Sequence, residues 1–100
     1  MRRARFIAAA RHEFLSEIDH YNQAQPGLGL RFIAAVEAAV ARALRFPLAG
    51  SPSVAGTRRI LLKGFPFSLF YRSEGDGIVI FAVAHHARQP RYWLGRAPDG

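Results

Sequence analysis

No cysteine occurs among the 100 residues, and only one methionine, one tryptophan and one lysine do. The missing thiols exclude disulfides, thiolate nucleophiles and cysteine-ligated zinc. Acidic side chains are scarce: seven Asp and Glu face fourteen Lys and Arg, leaving a formal charge of +7 and a pI near 11.3. Long apolar runs are missing too. Nothing approaches the ~20 residues that a membrane helix needs, so no membrane partner is expected. The opening MRRARFIAAARHEF has the basic tip of a secretion signal. Its apolar run, Phe6 to Ala10, stops at Arg11, His12 and Glu13 and is too short for a signal core. The expected location is the cytoplasm.

Half of the residues are hydrophobic, which suits a globular chain with a small core. The length is that of one domain, spanning 1–100. Its Pro-, Gly- and Arg-rich end has the composition of a flexible tail from about residue 93. With a single lysine, Lys63, thirteen of the fourteen cations are arginines. Taken alone, that excess predicts attraction to something anionic, whether nucleic acid, a membrane surface or an acidic protein, and its plainer reading is a solvated basic surface with no specific partner.

Along the chain, residues 3–7 read equally as a short strand or as the first turn of a helix. Residues 8–23 read as an amphipathic helix. Ile7, Ala10, Phe14, Ile18 and Tyr21 recur at spacings of three and four, and Arg11, His12, Glu13, Glu17, Asp19 and His20 fill the outer face. Pro26, Gly27 and Gly29 break it. Residues 28–46 form a second helix with Phe32, Val36, Ala39, Val40, Ala43 and Leu44 inside, stopped by Pro47. The two helices predict an antiparallel hairpin. Residues 46–56, FPLAGSPSVAG, read as loop.

Three strands follow, at about 57–63, 66–73 and 78–85, with turns at Gly64–Pro66 and Glu74–Gly77. In the middle strand Phe67, Leu69 and Tyr71 face one way and Ser68, Phe70 and Arg72 the other. The last strand is apolar on both faces, as a central strand covered on two sides would be. Helices before strands make an α+β domain.

The candidate functional residues are the cations and aromatics of this meander: Arg58, Arg59, Lys63, Arg72, His85, His86, Arg88, Arg91, Tyr92 and Trp93. Arg58, Arg59 and Lys63 suit an anionic partner, and they equally suit an edge strand kept from aggregating by charge. Neighbouring histidines on a strand point to opposite faces, so His85 and His86 do not readily share a metal ion. A strand-end histidine that hydrogen-bonds the following turn is the plainer reading. No metal or other cofactor is expected. Arg88, Arg91, Tyr92 and Trp93 interleave cations with aromatics, as a nucleic-acid or protein-binding surface does. Equally, Trp93 could fold back over the core while the arginines stay in water.

Arg58-Arg59-Ile60, then Gly64-x-Pro66-Phe67-x-Leu69-Phe70-Tyr71-Arg72, then Glu74-Gly75-Asp76, then a hydrophobic strand closing in His85-His86-Ala87-Arg88 together resemble the RelE/ParE superfamily of toxins. These are the toxin halves of type II toxin–antitoxin modules. The resemblance runs to about Leu94 and implies a strand at residues 3–7. The implied fold is β-α-α-β-β-β, an N-terminal helical hairpin packed on an antiparallel-rich sheet formed mainly by the C-terminal three-stranded meander. It also implies a small acidic antitoxin as partner.

The RelE-like branch resembles endoribonucleases that cut mRNA on the ribosome, and the ParE-like branch inhibits DNA gyrase. Metal-free RNA cleavage needs cations and a proton-transfer group converging on one phosphate. The RelE pattern would place its catalytic set at Arg59, Leu61, Ser68, Arg88 and around Tyr92 or Leu94. Arg59 and Arg88 keep the cation; Leu61 and Ser68 lose it, and serine does not neutralise charge as a guanidinium does. The ParE-like reading, with gyrase as target, needs a binding surface only. It is the favoured branch, with a RelE-like nuclease using Arg59, Arg88 and Tyr92 as the alternative.

Overall fold

The stretch after Ile7 runs without proline or glycine as far as Gln25, and it folds as helix α1, Ala8–Ala24. The structure, a computed structural model, describes residues 2–97. Strand β1, Ala4–Phe6, precedes α1, so the short opening segment is a strand. After α1 the chain reverses through Gly27 at φ +89°, a left-handed conformation that glycine adopts at little cost. The Asn22 side-chain oxygen accepts the Gly29 N–H at 2.9 Å and ties the hairpin shut. Helix α2 spans Leu28–Arg45. Arg42 and Arg45 lie in its last turn, where cations suit the negative end of the helix dipole. Arg2 also donates to the carbonyls of Leu44 and Arg45 at 2.7 and 3.2 Å, satisfying acceptors that have no partner within the helix.

Strand β2 is Ser51–Pro52, β3 Arg58–Leu61, β4 Phe67–Glu74 and β5 Gly77–His85. The sheet order is β1-β5-β4-β3-β2, and β1 runs parallel to β5 while the other pairs are antiparallel. The expected α+β architecture with a helical hairpin and a three-stranded meander is therefore present, in a mixed sheet. One expectation is corrected. The 46–56 segment contributes a fifth strand, β2, so β3 is not the sheet edge. Two paired residues in a Pro- and Ser-rich stretch carry no periodic signal.

Strand β5 lies between β1 and β4, and its residues 78–84 are all buried. On one face Ile60, Leu69, Tyr71, Ile80 and Val83 meet Phe32, Val36 and Ala43 of α2 and Ala10 of α1. Phe32 anchors this side against the rings of Phe65 and Phe67 at 5.2 and 5.0 Å between centroids. Among the described residues no α-helix packs on the other face. It is covered by the chain's own segments, with Val54 and Ala55 on one flank and Trp93 and Ala97 on the other. Between Phe70 and Tyr71 the β4–β5 register slips, because Phe70 opposes Ala82 while Tyr71 opposes Ile80. Phe81 is the extra residue of this bulge, so Phe81 and Ala82 both join the second core.

Candidate functional site: a cationic cleft

The antiparallel register pairs Arg59 with Phe70 and Leu61 with Ser68, and directly paired residues share a sheet face. Those four side chains thus stand on the face away from the helices, near the end of the sheet where β5 finishes at His85. From there the chain folds back over that face. Trp93 is buried and seats its ring 4.5 Å from Phe70. Between the returning segment and the Ser51–Val54 stretch lies a cleft of about 730 Å³. Arg59, Arg88, Arg91, His85 and His86 line it together with Tyr92 and Trp93, and none of the lining residues is acidic. Arg59, His86, Arg88 and Arg91 are exposed to solvent.

His86 is already one residue past the strand, so it does not alternate with His85, and both border the cleft. The Nδ1 of His85 accepts the Ala87 N–H at 2.9 Å, the strand-end turn contact, and its ring stands edge-on to Phe67. The Nε2 of His86 lies 3.0 Å from the Ser68 hydroxyl, which is 2% exposed at the cleft floor. Leu61, on the same face, is 58% exposed. Among the described residues no three His, Asp or Glu side chains converge as metal ligands would.

The remaining candidates lie elsewhere. Arg58 points away from the cleft and donates to the carbonyls of Leu48 and Gly50 at 3.4 and 2.8 Å, bracing the α2–β2 connection. Arg72 donates to the Ala55 carbonyl and lies 5.2 Å over the Phe81 ring, holding the turn at Val54–Gly56. Lys63 sits exposed in the β3–β4 turn.

Periodicity places one residue of this region on the wrong side. Glu13 was expected on the solvent face of α1, yet its side chain is 12% exposed. It receives the Val83 N–H at 3.1 Å, an Arg96 guanidinium N–H at 3.0 Å and the Tyr92 hydroxyl, with Arg88 at 4.0 Å. The available signal was its place three residues after Ala10 and beside Phe14, at the margin of the apolar stripe. Burial, then the hydrogen bond and charge of Glu13, push the Tyr92 phenol well above the usual tyrosine range, and Arg88 and Arg96 only partly offset this. Tyr92 is thereby held as a neutral donor to Glu13, which disfavours proton abstraction by its oxygen at neutral pH. Arg88 stacks over the same ring at 3.8 Å.

The family described as "ParE toxin of type II toxin-antitoxin system, parDE" matches residues 5–90. A solved structure described as "Chromosomal ParDE TA system from P. aeruginosa" shares the fold, with a TM-score of 0.72 at 22% identity, over 85% of this chain and 96% of that one. No curated protein matches the sequence.

Proposed function

The chain belongs to the ParE toxin family of type II toxin–antitoxin systems, and on that premise we propose that it inhibits DNA gyrase through the cationic cleft. A cognate antitoxin, small and acidic, neutralises it. The observation that carries this reading is a cleft lined by three arginines and two histidines with no carboxylate among them. Such a surface attracts an acidic or phosphate-bearing partner and needs no catalytic set. The electrostatics weaken the nuclease alternative. Leu61 and Ser68 supply no charge where the nuclease pattern would want cations. Tyr92, the candidate proton-transfer group, is bound to Glu13 with its phenol held neutral.

The purified protein should block DNA supercoiling by gyrase and leave mRNA on translating ribosomes uncut. Arg59→Ala should raise the concentration needed for inhibition by roughly tenfold, the equivalent of about 1.4 kcal/mol. Unimpaired supercoiling together with cleaved mRNA would establish the nuclease reading in its place.

A further inference from the structure

Strand β1 covers the edge of β5 only from Ile78 to Ile80. The Ile7 N–H adds one last backbone bond, to the Ile80 carbonyl at 3.1 Å, and the chain then turns into α1. Beyond that point β5 continues to His85, and no strand among the described residues covers its outer backbone groups. Buried peptide groups of this kind need partners. Two side chains supply them. Glu13 accepts the Val83 N–H at 3.1 Å, and Arg96 donates to the Phe81 carbonyl at 3.2 Å. The same two are joined to each other at 3.0 Å. The other Glu13 oxygen takes the Tyr92 hydroxyl.

We infer that Glu13 is a positioning residue: its carboxylate stands in for a missing length of edge strand and, through Tyr92 and Arg96, fastens residues 88–97 onto β5 as one wall of the cleft. The chain of contacts is short. Glu13 fixes the Tyr92 hydroxyl, the Tyr92 ring carries Arg88 at 3.8 Å, and the next residue, Trp93, is seated on Phe70. Charge-assisted bonds to a largely buried carboxylate are stronger than neutral ones, so losing the charge loosens the wall as a unit. The directions of Arg88 and Arg91 therefore depend on a residue outside the cleft lining. The effect on gyrase rests on the reading above; the docking of the segment does not.

Trp93, the single tryptophan, reports on the segment directly. Acrylamide suits the measurement, because a neutral quencher is indifferent to the charge being removed. In the full-length protein, Glu13→Gln should raise acrylamide quenching of Trp93 severalfold with the far-UV spectrum unchanged. Glu13→Asp should return quenching part of the way to wild type. Gyrase inhibition by Glu13→Gln should fall by about tenfold, as for loss of one good charged contact. A Glu13→Gln protein that melts earlier but keeps wild-type quenching overturns the inference, since Glu13 would then stabilise the fold without placing the wall. Should Glu13→Gln not fold, Tyr92→Phe decides alone: it removes only the phenolic oxygen, and wild-type quenching would overturn the inference while raised quenching would uphold it. Raised quenching with undiminished gyrase inhibition upholds the positioning role and removes the cleft from the target reading.

Discussion

Tyr71 is fully buried, yet its hydroxyl has two partners on the connection between α2 and β2. It donates to the Pro47 carbonyl at 2.8 Å and accepts the Gly50 N–H at 3.0 Å. That pins the loop leading into β2, the strand that pairs with Arg59 and flanks the cleft. Tyr71→Phe keeps the ring and leaves both backbone groups unpaired, which should cost about 1–3 kcal/mol. In a domain of this length each kcal/mol corresponds to roughly 4–8 °C in melting temperature. A thermal melt checks this, and an unchanged midpoint would mean that water satisfies the loop. The inward direction of Tyr71 was legible from alternation with Phe67 and Leu69. Its partners were not, because they are backbone groups more than twenty positions away, in a loop with no pattern. Glu13 was illegible for a related reason: a carboxylate at the margin of a helix stripe reads as solvated until the arginines that meet it are known.

At the scale of elements, legibility followed periodicity. Both helices and β4 repeat their apolar residues at the spacing their geometry demands, β5 is an unbroken apolar run, and turn residues bound the meander strands, so each element is legible to within about two residues, the usual uncertainty of element ends. Strand β1 is three residues long and became legible only through the family resemblance. Its hold on β5 comes from close backbone approach at Gly77. A Cβ there would lie 2.1 Å from the Arg3 carbonyl oxygen, which accepts the Ile78 N–H at 2.9 Å. Gly77→Ala must push β1 outward, at about 1–3 kcal/mol for an overpacked site. The amides of Ile7 and Ile78, bonded across this junction, should lose hydrogen-exchange protection while β4 retains it. Equal protection in variant and wild type would show that β1 shifts without detaching.

For the molecule as a whole, the placement of charge matters more than its sum. At the far end of the sheet Glu74 and Asp76 share a shallow recess with Arg3 and Arg5, so charges of both signs meet there. At the cleft, Arg59, Arg88 and Arg91 meet no acid in the lining, and Glu13 answers Arg88 from behind. The sequence showed that the end of the meander is cationic. It did not show that Arg59 faces the cleft while Arg58 braces a loop, since that depends on the strand's pleat and on a segment folding back across it. A one-signed cleft steers an acidic partner, and salt screens that steering: the Debye length falls from about 10 Å at 0.1 M to about 3 Å at 1 M. Over that range the association rate with an antitoxin of the acidic kind proposed above should drop by about tenfold or more. Two charge-matched double variants locate the effect. Arg59→Gln with Arg91→Gln removes two cleft cations, and Arg42→Gln with Arg45→Gln removes two at the end of α2. Stopped-flow rates should show the cleft pair flattening the salt dependence and the helix pair leaving it nearly intact; equal slopes for the two would assign the steering to net charge and not to the cleft.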